Sequence, residues 1–393
     1  MSEKPADSLA GGRSSWLPLV ALFTSVFSVC ISFGGLTPLI SLTLEARGID
    51  GALIGLVVAA QPIGTIVAAG FVPRLLRRFG TADTILACGL VSALMAALLP
   101  VFSSVPAWLL LRFVAGLAAA GPWIVTETWI NAIATTGGRG RIVGLYGSVM
   151  AAGFVVGPLL LTAVGTEGAL PFMAFALLLA VALLPIFLTR DKAPRLQVAN
   201  KPKYAHILFA APTLFAAAIL AGFVDIAFFS FLPIWGLRNG MEQSFAVTLL
   251  TVFVTGNVVL QYPLGWLGDR LGYRVAMVLC GLVCLVAPAI ASQALGAPWL
   301  LVVTLFFWGG AAWGIYSIAL AALGVRFRGT LLAAANAVFV IAYEAANIVG
   351  PPVAGAAVDY WPQHGLMILM GGVGGLFVLL VMSRLGRPQP LEE

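Results

Sequence analysis

The chain has 393 residues, of which 61% are hydrophobic and only 9% are charged, and its net charge is +6. Soluble domains carry about 25% charged residues, so this chain lacks the side chains that would keep a globule in solution. The composition excludes a soluble enzyme, a nucleic-acid-binding domain and a disordered scaffold. The apolar runs are long and unbroken, which predicts membrane-spanning helices rather than the short alternating strands of an outer-membrane barrel.

A helix needs about 20 apolar residues to cross a bilayer, and the sequence contains twelve suitable runs. The predicted spans of the first half are 16–43, 51–73, 84–101, 106–133, 141–164 and 169–188. Those of the second half are 206–235, 244–266, 274–292, 298–322, 330–356 and 364–384. The predicted fold is therefore an all-α polytopic membrane protein with two pseudo-symmetric six-helix bundles.

A polar loop nearly bisects the chain. The predicted domains are an N-terminal tail (1–15), a first bundle (16–188), a linker (189–205), a second bundle (206–384) and a C-terminal tail (385–393). Eighteen of the 21 Lys and Arg residues lie in the tails or in loops after even-numbered spans, and only Arg47 and Arg238 follow odd-numbered spans. Because basic loops remain in the cytoplasm, both termini are expected there, in a protein of the bacterial cytoplasmic (inner) membrane.

The two halves repeat one another in sequence. The segment PRLLRRFGTA (73–82) follows span 2, and GWLGDRLGYR (265–274) follows span 8, which aligns Arg78 with Arg270 and Gly80 with Gly272. Spans 5 and 11 share a small-xxx-Gly-Pro pattern that favours close helix packing and a proline kink. The predicted hinge residues are Gly153, Gly157, Pro158, Gly350 and Pro351. A duplicated unit with matched hinges favours rocking of one half against the other.

These motifs resemble the Major Facilitator Superfamily over nearly the whole chain. The loop GWLGDRLGYR is similar to the family's cytoplasmic signature, LRFVAG (111–116) to its span-4 arginine motif, and GFVVGP (153–158) to its span-5 motif. TETWIN (126–131), YSIALAALGVRF (316–327) and LAAANA (332–337) resemble the YcaD-like branch. The resemblance implies transport by alternating access. One departure is Arg77, which stands where the family's loop carries an aspartate.

Ionisable residues at membrane depth are energetically costly and are usually functional. Arg112 and Glu127 lie in span 4, Asp225 in span 7 and Glu344 in span 11. Arg112, Gly116, Ala119, Trp123 and Glu127 share one helical stripe, which is expected to line a central cavity. The full predicted cavity comprises Arg112, Trp123, Glu127, Asp225, Asn257, Gln261, Trp313, Tyr316, Tyr343 and Asn347. Trp308 is expected beside Trp313 and Tyr316 on span 10, whereas Trp108, Trp299 and Trp361 indicate an interfacial belt.

Each of these residues also has a structural interpretation. Arg112 and an acid could form a static pair between helices, Glu127 could cap its helix near Arg139 or Arg141, and the amides could tie helices together. A carboxyl group without a cationic partner is the better proton carrier, so Glu344 and then Asp225 are the predicted coupling residues. By internal symmetry, Asp269 is expected against the start of span 5. The predicted cytoplasmic gate comprises Gly265, Asp269, Arg270, Gly272, Arg139 and Arg141.

The sequence contains no phosphate-binding loop, so ATP is not expected to drive the protein. No metal site or cofactor is predicted, since the four cysteines lie in apolar runs without accompanying His residues. The first hypothesis is a monomeric carrier of a flat, hydrogen-bonding, nearly neutral organic solute, passive or coupled to protons. A riboflavin-like vitamin would suit it, and riboflavin importers of the same superfamily are one precedent. The alternatives are a multidrug or metabolite exporter, and a membrane sensor or assembly factor without transport. The expected partners are the solute and the bilayer, and no nucleic acid or enzymatic activity is expected.

Overall fold

The structure is a computed structural model that describes residues 16–133, 139–192, 211–327 and 329–384. Within these ranges twelve helices are long and apolar enough to cross a membrane, which confirms the twelve predicted spans. The first half contains α1 (Trp16–Ala46), α2 (Gly51–Ala69), α3 (Thr81–Leu98), α4 (Val105–Ile133), α5 (Arg139–Val164) and α6 (Leu170–Val181). The second half contains α7 (Pro212–Arg238), α8 (Gln243–Leu271), α9 (Tyr273–Gln293), α10 (Pro298–Arg326), α11 (Gly329–Tyr360) and α12 (Gly365–Met382).

The loops define two ends of the molecule. We call the end with the loops after α1, α3, α5, α7, α9 and α11 the odd-loop face, and the opposite end the even-loop face. A short helix, Val72–Phe79, lies between α2 and α3, and a further turn of helix, Leu184–Leu188, extends α6 toward the even-loop face. Most of the predicted linker lies outside the described residues.

Glycines set the close packing inside each half, and they do so at matching places. At the α2–α4 contact, a Cβ on Gly64 or Gly116 would overlap the backbone of the facing helix, and the same holds for Gly256 and Gly309 at the α8–α10 contact. Small residues are what allow helix backbones to approach this closely in lipid. The two halves are therefore built on one repeated packing plan.

The Gly-Pro motifs in α5 and α11 follow the same plan. Both helices continue without a break through Pro158 and Pro351. Gly153 and Gly157 leave room for α1 to lie against α5, and Gly350 lies beside the Phe223 carbonyl of α7. These residues therefore provide close contacts in this conformation, and their action as hinges stays a prediction.

The repeated loop is confirmed by its backbone. Gly80 and Gly272 have positive φ angles of 82° and 84°, which residues with side chains adopt only under strain. The preceding segments differ, because α8 runs unbroken to Leu271, whereas its counterpart forms the separate helix Val72–Phe79.

The two halves meet at the odd-loop face. The first turn of α2 lies against the end of α11, where Gly51 and Gly355 bring the backbones together. Gln243 donates a hydrogen bond to Thr166 at the same end, and the rings of Phe154 and Phe229 are 5.9 Å apart. Among the described residues, every hydrogen bond and ring contact found between the two halves lies nearer to the odd-loop face than to the even-loop face. The molecule is therefore closed at the odd-loop face.

Two of the three tryptophans predicted to form an interfacial belt are exposed, and the third is buried. Trp299 and Trp361 are exposed at helix ends. The assignment of Trp108 to an interfacial belt is wrong, because its side chain is fully buried. Its indole donates to the Phe102 carbonyl at 2.8 Å and packs edge-on against Phe172.

Candidate functional site

Asp225, Trp313, Tyr316, Tyr343 and Glu344 come together where α7, α10 and α11 meet. Trp313 and Tyr316 are three residues apart on α10, so they share a helix face. Their rings lie 6.2 Å and 5.4 Å, respectively, from the ring of Tyr343. All five residues are partly exposed. The five residues, which we call the aromatic-acid cluster, are thus gathered from three helices at one accessible place.

The two acids of the cluster are each held by a neighbouring polar side chain. The Tyr343 hydroxyl donates to Asp225 Oδ2 at 2.6 Å, and Asn347 Nδ2 donates to Glu344 Oε2 at 3.2 Å. The second Asp225 oxygen, Oδ1, is buried and has no hydrogen-bond partner among the described residues. The carboxyl groups are close enough to interact electrostatically, and no described basic side chain forms an ion pair with either of them. The cluster therefore holds two neighbouring acids without a counter-ion.

The aromatic side chains divide into two groups. Tyr316 lies at the centre of the partly exposed group, with its ring 5.8 Å from that of Trp313 and 5.4 Å from that of Tyr343, and it also packs 4.9 Å from the ring of the fully buried Phe339. Trp308 does not join this group, because it is fully buried against Phe228, with ring centroids 4.6 Å apart. The expectation that Trp308 adds to the same wall is wrong, since it packs inside the second half.

The amides of α8 form a separate chain of hydrogen bonds. Gln261 Nε2 donates to Asn257 Oδ1 at 2.6 Å, and Ser317 Oγ donates to Gln261 Oε1 at 2.7 Å. This chain joins α8 to α10, which matches the interpretation that the amides tie helices together. Gln261 is partly exposed and Asn257 is almost fully buried, so Gln261 is the better placed of the two to meet a solute.

Arg112 lies elsewhere, in a pocket inside the first half. The pocket is lined mainly by α1, α3, α4 and α6, and it also receives Gln61 from α2. Ala119 lines it too, whereas Gly116 faces the backbone of α2. The expectation of one continuous cavity-lining stripe is therefore wrong at Gly116, because that side of α4 is packed against its neighbour. None of the described residues of the second half lines this pocket.

Several predicted residues have side chains outside the described part of the structure. These residues are Trp123, Glu127, Arg139 and Arg141. Of the predicted gate, Asp269 is exposed and makes no ion pair with any described residue. Arg270 stacks over the ring of Trp266 at 4.3 Å, and Gly265 faces open space. The even-loop face shows no latch among its described residues in this conformation.

A charged cluster at the odd-loop face was not predicted from the sequence. Arg238 of α7 contacts Glu45 of α1 at 2.7 Å and Asp359 of α11 at 3.1 Å. Asp359 Oδ2 also accepts the backbone N–H of Ala52, at the start of α2, at 3.1 Å. A carboxylate is favoured there by the helix dipole. The signal was present, since Arg238 is one of only two basic residues in the odd-numbered loops and both acids lie at the same end of their spans.

A family model described as Major Facilitator Superfamily matches residues 22–249 and 214–393, which together cover most of the sequence. The chain belongs to the Major Facilitator Superfamily. Among curated relatives, the "Uncharacterized MFS-type transporter YcaD" of Salmonella typhi is 24% identical over 382 residues, covering 96% of this chain and 98% of the relative. The YcaD proteins of other Salmonella strains match equally well, so this chain is YcaD-like.

Solved structures of the same superfamily share the fold. The nucleoside transporter NupG has a TM-score of 0.76 at 15% identity, covering 95% of this chain and all of that one. A D-xylose-proton symporter has a TM-score of 0.71 at 15% identity, with coverages of 92% and 96%. A bacterial homologue of the lysosomal transporter Spinster, in an inward-facing conformation, has a TM-score of 0.75 at 14% identity, with coverages of 95% and 96%. Membership of this family makes the chain a secondary transporter rather than an enzyme, in the form of a multi-pass inner-membrane protein.

Proposed function

We propose that the protein carries a small, flat, hydrogen-bonding organic solute across the membrane, and that protons are coupled to its movement through the aromatic-acid cluster. The single observation that carries the proposal is the grouping of Trp313, Tyr316 and Tyr343 beside Asp225 and Glu344. Aromatic faces bind flat rings by stacking, and carboxyl groups fix a ring's hydrogen-bond donors.

The chemistry of the cluster favours a neutral solute. Two acids with no cationic side chain between them disfavour an anion, and the partly exposed Gln261 and Ser317 offer further hydrogen bonds. The nucleoside transporter and the D-xylose-proton symporter, which share this fold, are named for solutes that are neutral and rich in hydroxyl groups. A nucleoside or a vitamin-like heteroaromatic fits the aromatic wall better than a sugar does, because it has a planar ring.

The acids also support the proton part of the proposal. A charged carboxylate at membrane depth is costly when no cation accompanies it. Such a group can therefore take up a proton when it faces one side of the membrane and release it when it faces the other. Glu344 is the first choice because it lies on α11, which carries the Gly350–Pro351 motif. Asp225 is the second, and each acid accepts one side-chain hydrogen bond, from Tyr343 and from Asn347 respectively.

The distribution of basic loops supports an orientation with both termini in the cytoplasm. The even-loop face is then cytoplasmic and the odd-loop face is external. With the hydrogen bonds and ring contacts found between the halves among the described residues lying toward the odd-loop face, this conformation corresponds to an inward-facing state. A monomer suffices for the proposal, because the aromatic-acid cluster is formed within one chain.

The test is uptake into liposomes under an imposed pH gradient, with uridine, adenosine, riboflavin and xylose as solutes. Accumulation of a solute with a planar ring, but not of xylose, is the expected result. Trp313→Ala should raise the half-saturating concentration about fivefold or more, since stacking on one aromatic side chain contributes about 1–3 kcal/mol. Trp299→Ala, at an exposed helix end, is the matched control and should leave it unchanged. Uptake of every solute at the rate of empty liposomes would contradict the proposal.

A further inference from the structure

The pocket around Arg112 contains a charge that nothing in the described part of the protein accounts for. Arg112 is only 6% exposed, and its guanidinium makes no hydrogen bond or ion pair with the described residues. Gln61, 4% exposed, lines the same pocket, and its Oε1 also has no partner there. A buried cation without a counter-ion is costly, so the first half bears a cost that a bound anion would offset.

The internal repeat shows that the fold itself does not require this pair. At the α2–α4 contact, Gly116 packs on the backbone of Gln61, and at the α8–α10 contact Gly309 packs on the backbone of Phe253. This correspondence aligns Gln61 with Phe253 and Arg112 with Leu305. Phe253 and Leu305 are both fully buried. The same helix contact is therefore built from apolar side chains in the second half, and the polar pair serves another purpose in the first.

The walls of the pocket indicate what kind of anion it takes. Apart from Arg112, Gln61 and a few hydroxyl groups, the lining is apolar, and it includes Val29, Phe33 and Leu111. It runs from Leu99, at the odd-loop end of α3, to Tyr146 and Leu183, toward the even-loop end. A guanidinium binds a carboxylate through paired hydrogen bonds, and an apolar wall of this length suits a hydrocarbon chain.

We propose that the Arg112 pocket is a second binding site, separate from the aromatic-acid cluster, that takes an amphiphilic carboxylate. The carboxylate would accept hydrogen bonds from the Arg112 guanidinium and from the amide N–H of Gln61, and its hydrocarbon chain would lie along the apolar wall. This inference does not depend on the solute proposed above, because all the described residues that line the pocket belong to the first half.

The test is equilibrium binding of radiolabelled octanoate to the purified full-length chain, with octanamide as the uncharged competitor. Wild type should bind octanoate and resist competition by octanamide. The double variant Arg112→Leu/Gln61→Phe copies the pair that the second half already packs, so it should fold. It should weaken octanoate binding at least about tenfold, the effect of losing a charge-assisted hydrogen bond.

Three controls make the result decisive. Ala119→Phe keeps Arg112 but fills the pocket, and it should also weaken binding at least about tenfold. Arg270→Gln removes an arginine at the even-loop face, and Asp225→Asn alters the aromatic-acid cluster; both should bind octanoate as wild type does. Equal displacement by octanamide, or unchanged binding in the double variant, would overturn the proposal. So would binding of octyl phosphate without binding of octanoate, which would assign the pocket to a lipid phosphate.

Discussion

Arg238 donates two hydrogen bonds to Glu45 across the boundary between the halves, from Nε at 2.7 Å and from Nη2 at 2.9 Å. The guanidinium also donates to the Val358 carbonyl and to Asp359 at 3.1 Å. Paired hydrogen bonds of this kind are stronger and more directional than a single ionic contact. Both side chains are only partly exposed, at 21% and 19%, so the contact is only partly screened by water. It joins α1 to α7 and therefore holds the odd-loop face closed.

Arg238→Gln should destabilise the closed odd-loop face by about 1–2 kcal/mol, after allowance for partial exposure. The measurement is a spin-label distance across that face, between Glu167→Cys and Gln363→Cys, which should gain a longer population. Arg47→Gln is the matched control, because Arg47 lies on the same face but its side-chain hydrogen bond and cation–π contact among the described residues are to Phe102 and Trp108 of its own half. An unchanged distance distribution in Arg238→Gln would show that the pair does not hold this face.

Gly355→Val should also disfavour closure at the odd-loop face. A Cβ on Gly355 would overlap the backbone of Gly51 across the α2–α11 contact, and forced overpacking costs about 1–3 kcal/mol. The same spin-label pair should report a larger open population. Gly372→Val, in α12, is the control, since a Cβ there meets nothing within 4 Å. The interpretation fails if both variants give the wild-type distribution.

Asp269→Asn should slow transport by roughly tenfold while leaving this conformation intact. Asp269 is exposed here and forms no ion pair with a described residue, so its loss costs this state little. Its proposed role is to close the even-loop face, where a charge-assisted bond contributes about 1.5–3 kcal/mol. The measurements are initial uptake rate and thermal stability. Asp191→Asn, exposed beyond α6, is the control, and wild-type rates in Asp269→Asn would end the latch hypothesis.

Glu344→Gln should abolish accumulation driven by a pH gradient and spare exchange of solute between the two sides. Glutamine keeps the shape and hydrogen bonding of the side chain but cannot carry a proton. The accumulation ratio should fall to about one, with counterflow exchange within about twofold of wild type. Asp225→Asn tests the second acid in the same way, and Glu242→Gln, at the exposed start of α8, serves as the control. If gradient-driven uptake persists in both cluster variants, neither acid couples protons.

The fold could be predicted from the sequence because hydropathy and glycine pattern act locally. The sequence shows twelve apolar runs, the small-xxx-Gly-Pro motifs and the pairing of Gly80 with Gly272. The structure confirms the helices and the repeated turn. Side-chain placement around a helix was harder. Helical periodicity put Arg112 and Gly116 on one stripe, but α2 packs against Gly116, and only the neighbour's position could reveal that.

Contacts between distant segments explain the remaining differences. Glu45, Arg238 and Asp359 are far apart in the sequence, and although all three lie at the same end of their spans, the sequence does not show that their side chains meet. Trp308 and Trp313 are only five residues apart on α10, yet one is fully buried and the other is partly exposed. The depth of a residue in the membrane follows from its position along the helix. The helix that its side chain packs against depends on how the helices assemble.

The carboxylate of Asp359 lies between two positive groups, the guanidinium of Arg238 and the N-terminus of α2 at Ala52. When the odd-loop face opens, Asp359 must separate from Ala52 and Arg238 must separate from Glu45, whereas Arg238 and Asp359 belong to the same half. The mouth of the transport path then presents one guanidinium, two carboxylates and a bare helix terminus to any approaching molecule. The same atoms that seal the closed state would thus line the path of any solute that crosses the opened face.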